Sequence, residues 1–228
     1  MQKISPLQLT LMLVVIFVVP FLPLLISGRR DWWEAWTYAL LSVLGFIISR
    51  LLASRRNPDI IAERGRSMNH ANTKSWDRIL SPLVGLGASF LPLVAGLEMR
   101  IQGVSEFSLP LKLAALLFIL AGYVFSSYAL ITNRFFSGVV RIQSERGHHV
   151  VSTGPYRWVR HPGYAGSLLV FLALPVWLDS PWSYLLAAVF LAAIVLRTYL
   201  EDQTLQAELP GYAEYAHKVR YRLLPGVW

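Results

Sequence analysis

Gly154-Pro155-Tyr156-Arg157-Trp158-Val159-Arg160-His161-Pro162-Gly163-Tyr164-Ala165-Gly166 stands between a basic, polar segment and a long apolar run. Its thirteen residues include three Gly, two Pro, two Arg, one His and three aromatics. Glycine and proline impose backbone angles that a continuous helix does not use, so the stretch reads as a shaped loop leading into a helix. Two readings of its side chains stand together. Clustered donors and aromatic faces at the mouth of a membrane helix suit the wall of a polar ligand site. Trp, Tyr and Arg suit a membrane-interface anchor equally well.

The run that follows, Tyr164 to Leu200, is about 37 residues long, whereas one membrane crossing needs about 20. Asp179-Ser180-Pro181 interrupts it near the middle, which predicts a tight helical hairpin of two spans. Four further apolar runs precede it: Leu7 to Ile26, Ala35 to Ala53, Ile79 to Leu97 and Leu109 to Ile131. The first, preceded by Lys3, lacks a small-residue cleavage site and ends at a turn, Ser27-Gly28-Arg29-Arg30, so it reads as a retained helix kinked by Pro20 and Pro23. Pro82 and Pro92 interrupt the third. Trp32, Trp33 and Trp36 form an interfacial belt. Residues 54–78 read as a polar loop with a short amphipathic helix, and Glu98 to Ser108 as a short polar connection. In the basic segment Asn133 to His161, the pairs Val139-Val140 and Val150-Val151, with Thr153, support short extended pieces. The fold expected is all-α and integral to a membrane, with about six transmembrane helices. Residues 1–132 hold four, and residues 133–228 hold the loop, the C-terminal hairpin and a polar tail.

Composition agrees. Of 228 residues, 55% are hydrophobic and 15% charged, against about 25% charged in a typical soluble domain. The net charge of +8 sits between the apolar runs, which argues against a nucleic-acid reader. With both termini on the cytoplasmic side, seventeen Lys and Arg face inward and only Arg29, Arg30, Arg100 and Lys112 face outward, as the positive-inside rule requires. The opening stretch, the 54–78 loop and the tail then share the cytoplasmic face. The absence of cysteine excludes disulfides, thiolate zinc sites and a cysteine nucleophile.

Arg197 and Glu201, four residues apart, share a helical face at the end of the last span. Charges at that depth are functional candidates; the competing reading is an ion pair at the membrane boundary. A folded-back hairpin would return Glu201 to the face where His161 begins the hairpin. Adjacent His148 and His149 do not converge on one metal, and no Cys or repeated carboxylate completes a set, so no metal site is expected. Glycine-rich dinucleotide and phosphate-binding loops and the Gly-x-Ser-x-Gly elbow do not occur, which disfavours conventional nucleotide folds and hydrolases.

Gly154-Pro155-Tyr156-Arg157-x-Val159-Arg160-His161-Pro162-x-Tyr164-x-Gly166, followed by Arg197-x-x-x-Glu201-Asp202-x-x-Leu205, resembles the isoprenylcysteine carboxyl methyltransferase family. Gly211-x-x-x-Tyr215 and Arg222-Leu223-x-Pro225 extend the resemblance over about residues 133–228. The wider superfamily includes phospholipid N-methyltransferases, thiol S-methyltransferases and, more distantly, NADPH-dependent sterol reductases. The resemblance implies S-adenosylmethionine in a cytoplasmic pocket contacted by Gln143, His148, His149, Val150, Val151, Tyr156, His161, Pro162, Gly163, Tyr164 and Glu201. It implies catalytic roles for Arg197 and Glu201, with Arg197 near a substrate carboxylate. The family usually has Glu-Glu where this chain has Glu201-Asp202, which leaves the role of Asp202 open. The implied acceptor is a lipophilic molecule or lipidated group reached from the surrounding lipids, such as a prenylcysteine carboxylate. The expected location is the bacterial inner membrane, with termini and site cytoplasmic. The alternatives are a phospholipid or thiol methyltransferase, an NADPH-dependent reductase, and a non-enzymatic scaffold binding anionic lipid.

Overall fold

The computed structural model describes residues 6–66, 70–103 and 107–228; Lys3 lies outside them. The helices are α1 Pro6–Phe17, α2 Leu22–Ser27, α3 Trp33–Arg56, α4 Ile60–Gly65, α5 Asp77–Gln102, α6 Leu109–Thr132, α7 Pro162–Trp177, α8 Ser183–Glu208 and α9 Tyr212–Lys218. The short surface helix expected between 54 and 78 is α4. Pro20 and Pro23 do more than kink the first run: a 3-10 turn, Val19–Phe21, separates α1 from α2. No strand forms among the described residues. The valine pairs expected to be extended lie in irregular loop, which is shaped instead by 3-10 turns Ser144–Arg146 and Gly154–Arg157.

Four segments are long and apolar enough to cross a membrane: Thr10–Ser27, α3, α6 and α8. α5 makes a fifth if its two parts, bent by 42° between Gly85 and Ser89, count as one span. Pro92 explains the bend, since it offers no N–H to the carbonyl four residues earlier and its ring crowds that turn. α7, the remaining expected span, has only 16 residues. At about 1.5 Å rise per residue it falls short of the roughly 30 Å hydrocarbon layer. The six apolar segments are therefore present, but the hairpin is unequal.

α7 packs chiefly on α6. Gly122 and Gly166 permit the approach: a Cβ on Gly166 would lie 2.5 Å from the Gly122 carbonyl oxygen. In lipid, where burial drives helix association weakly, close backbone packing through small residues takes its place. The main core, which includes Trp177, Leu174, Phe171, Phe190 and Ile194, lies between α5, α6, α7 and α8. A second cluster of Tyr156, Leu209, Tyr212 and Tyr215 folds α9 and the tail over the loop. The hairpin turns where expected, with α7 ending at Trp177 and α8 starting at Ser183. There Asp179 accepts from the Phe107 N–H at 2.9 Å and pairs with Lys112, which reaches Glu34 at 2.7 Å.

Candidate active site

At the opposite end, where α3, α6 and α8 finish, a cavity of about 630 Å³ opens among the loop, α7, α8 and α9. Its backbone frame comes from the stretch that opens the chain's C-terminal half. Gly154 has φ +58, and a Cβ there would lie 2.9 Å from Thr132 Oγ1, so both the angle and the space call for glycine. Pro155 starts a 3-10 turn and Pro162 stands in the first turn of α7, where its missing N–H costs nothing. Backbone N–H groups of Arg160 and His161 donate to the carbonyls of Tyr221 and Arg222, both at 2.9 Å, which stitches the tail to the loop.

The buried carboxylate of Asp202 holds this arrangement together. Oδ1 accepts from Arg160 Nε at 2.7 Å, Tyr212 Oη at 3.1 Å and His161 Nε2 at 3.2 Å. Oδ2 accepts from Arg160 Nη2, Arg222 Nε and Gln206 Nε2, each at 2.9 Å. An ionised carboxylate only accepts, so Nε2 of His161 carries its proton. The His161 ring stacks on Tyr164 with centroids 5.9 Å apart, and the Tyr164 hydroxyl donates to Glu201 Oε2 at 2.6 Å. His161, Tyr164 and Glu201 are thus joined across the hairpin, as its fold-back requires. Glu201 Oε1 has no hydrogen-bond partner among the described residues.

Arg197 is engaged differently from a free carboxylate clamp. Nε and Nη2 donate to Asp77 at 2.7 and 3.1 Å, and Nη2 also to the Gly138 carbonyl at 2.8 Å. Asp77 is fully buried at the start of α5, where it also accepts from the Val140 N–H at 2.6 Å. The site thereby ties an N-terminal helix to the C-terminal hairpin. Arg197 keeps Nη1 for another partner, and its Cζ lies 5.4 Å over the Tyr164 ring.

The loop supplies the remaining wall. Gln143 is buried, its amide donating to the Phe135 carbonyl at 2.7 Å and its oxygen accepting from Arg146. His148 Nδ1 accepts from the Gln143 N–H at 3.3 Å, and its ring lies 4.6 Å from that of Phe135. Burial, followed by the positive charges of His149, Arg141 and Arg146, pushes the His148 imidazole down to about 4, so it is neutral near pH 7. Burial also raises the hydroxyls of Tyr156 and Tyr215 above the ordinary tyrosine range, which makes them neutral donors. Tyr215 donates to the Tyr156 carbonyl at 2.7 Å, and Tyr156 accepts from Asn133 at 3.2 Å.

Each residue expected to contact cofactor or substrate borders this one cavity: Gln143, His148, His149, Val150, Val151, Tyr156, His161, Pro162, Gly163, Tyr164, Arg197 and Glu201. Trp158 does not; it is 53% exposed and stacks on Phe125, as an anchor would. Sequence reasoning missed Asp77, Arg50 and Arg64, and left Arg160 and Asp202 without roles. Asp77 meets Arg197 across 120 positions, which no local pattern signals. Asp202 was open to notice through its place beside Glu201.

The donor set suits a small zwitterion carrying an additional positive charge. It offers one carboxylate oxygen with capacity to spare, neutral imidazole and phenol groups, and the aromatic faces of Tyr164 and Phe135. The cavity continues away from these groups as an apolar arm between α1, α3 and α5, past Val19, Leu41, Phe46 and Val84.

Comparison with known proteins converges on the same half of the chain. The phospholipid methyltransferase family matches residues 111–209. A probable protein-S-isoprenylcysteine O-methyltransferase of Oryza sativa is 32% identical over 46% of this chain and 56% of its own length. Protein-S-isoprenylcysteine O-methyltransferase B of Arabidopsis thaliana is 31% identical over 44% and 53%. A Delta(14)-sterol reductase of Mus musculus is 34% identical over 40% of this chain and 23% of its own length. The chain spans about half the length of the methyltransferase relatives it matches. Residues 111–209, which carry most of the cavity's polar wall, are thus similar to the phospholipid methyltransferase family and to the isoprenylcysteine O-methyltransferases that the Arg-His-Pro-x-Tyr motif suggested.

Proposed function

We propose that the protein transfers a methyl group from S-adenosylmethionine to a lipophilic acceptor, with a carboxylate of the prenylcysteine type as the favoured acceptor. The observation that carries this reading is the single cavity. It joins a polar wall made by His161, Tyr164 and Glu201 to an apolar arm between the N-terminal helices. S-adenosylmethionine, when bound, supplies a methyl group on a positively charged sulfur. Glu201 Oε1 would accept from its ammonium group, while Tyr164, His161 and Phe135 offer ring faces to the remainder. Neutral His148 adds no charge to repel a cation.

Methyl transfer needs an aligned, desolvated nucleophile more than a strong base. Positioning of this kind accounts for roughly 7–11 kcal/mol of barrier lowering in well-oriented reactions. Arg197 fits a moderate role: Asp77 offsets its charge, leaving Nη1 to orient an acceptor oxygen without quenching it. The Lys and Arg asymmetry supports a cytoplasmic position for this end, in a reading that sets the protein in a bacterial inner membrane.

Purified protein in detergent is expected to bind S-adenosylmethionine with a micromolar Kd, and Glu201→Ala or His161→Ala to weaken it. Methyl-label transfer into a lipid extract would identify the acceptor, and would separate a carboxylate product from a phospholipid amine or a thiol. Similarity to a sterol reductase keeps a second reading alive. Binding of NADPH with no binding of S-adenosylmethionine would replace the methyl-transfer reading with that one.

A further inference from the structure

The arginines bordering the cavity are not equally balanced. Asp202 neutralises Arg160, Asp77 neutralises Arg197, and Glu63 and Glu145 neutralise Arg141. Arg50, on α3, has no carboxylate partner among the described residues. Its Nη1 donates to Ser49 Oγ at 3.1 Å and its Cζ lies 4.5 Å over the Phe46 ring. Phe46 is one turn back along α3, away from the polar end at Arg55 and Arg56. The side chain therefore leans toward the apolar part of the helix rather than extending out to the surface, as a snorkelling arginine would. Arg64 borders the same cavity, with Cζ 5.2 Å over Phe136, and stands within electrostatic reach of both Arg50 and Arg197. Holding the Arg50 guanidinium beside an apolar arm without a carboxylate partner is unfavourable unless an anion joins it.

We propose that Arg50, with Arg64 beside it, forms an oxyanion subsite that selects amphiphiles carrying a carboxylate or phosphate, whose chain lies in the arm past Phe46, Leu41 and Val19. This rests on reading the cavity as the site of a lipophilic methyl acceptor. It assigns acceptor selection to the N-terminal helices, whose sequence carries no shared motif. The anion it binds belongs to the acceptor and not to the carboxylate of S-adenosylmethionine, because the groups suited to that cofactor lie on α7, α8 and the loop.

The test uses the full chain in a non-ionic detergent, with dodecyl phosphate, dodecanoate and uncharged dodecanol as probes. Thermal unfolding is followed against probe concentration. Wild-type protein is expected to respond to the two anionic probes at concentrations about tenfold or more below dodecanol, the size of one charge-assisted hydrogen bond. Arg50→Gln should erase that preference and Arg50→Lys should retain part of it, both with an unchanged Kd for S-adenosylmethionine. A preference that survives in Arg50→Gln overturns the subsite. So does a parallel loss of S-adenosylmethionine affinity, which would give the anion to the cofactor. Should wild-type protein bind no S-adenosylmethionine at all, the methyl-transfer reading falls by itself, and the amphiphile comparison still decides the subsite.

Discussion

The two ends of the helical bundle both bury charge, and they bury it in opposite ways. At the hairpin turn, Lys112 lies between Glu34 and Asp179, while Glu98 accepts from Ser180 and from the Trp182 N–H. Those groups tie the turn to the neighbouring helices, which fixes packing and register. At the other end, Asp202 and Asp77 each hold an arginine tightly, but they do so around a cavity. The saturated pairs there act as a rigid frame. The groups left with spare capacity, Glu201 Oε1, Arg197 Nη1 and Arg50, face the space the frame encloses. Where buried charge is fully matched it fixes structure, and where a surplus is held in place by matched neighbours it is available for a ligand.

Mutations at the two ends should separate these roles. The largest effect is expected from Asp202→Asn, which leaves Arg160 and Arg222 facing a neutral amide. A loss of about 3–5 kcal/mol in unfolding free energy is expected, with loss of S-adenosylmethionine binding, measured by denaturation in detergent and by calorimetry. A variant within about 1 kcal/mol of wild type would remove the frame from the comparison. Lys112→Met should cost a similar or slightly smaller amount, about 3 kcal/mol, because Glu34 and Asp179 lose their shared cation. Its cofactor affinity should be unchanged; a matching loss of affinity would mean the ends are coupled.

Glu201→Gln should do the reverse of Lys112→Met. Its amide still accepts from Tyr164, so stability should change by less than about 1 kcal/mol, while S-adenosylmethionine affinity falls about tenfold or more. The smallest effect concerns pH. His148 titrates near 4 in the folded protein against 6.5 when unperturbed. The unfolded chain therefore binds the extra proton first as pH falls, and the folded state loses stability between about 6.5 and 4, with no contribution to the slope above 6.5. His148→Gln should flatten that part of the stability profile. An unchanged profile would place the imidazole in water.

The sequence itself determined the helical, membrane-embedded class, because apolar runs of about 20 residues admit few other structures in lipid. It determined the hairpin, through Asp179-Ser180-Pro181, and with it the meeting of His161, Tyr164 and Glu201, because a tight turn must return α8 to the level where α7 began. The Gly and Pro positions of 154–166 made the loop legible for the same reason: backbone angles are local. Only the tertiary structure decided that α7 is too short to match its partner, that Pro92 bends α5, and that the valine pairs of the loop form no strand. It alone paired Asp77 with Arg197 over 120 positions and gathered loop, helix and tail on Asp202. Charge pairing in a low-dielectric interior depends on distance in space, and the sequence records only the order in which the partners are joined.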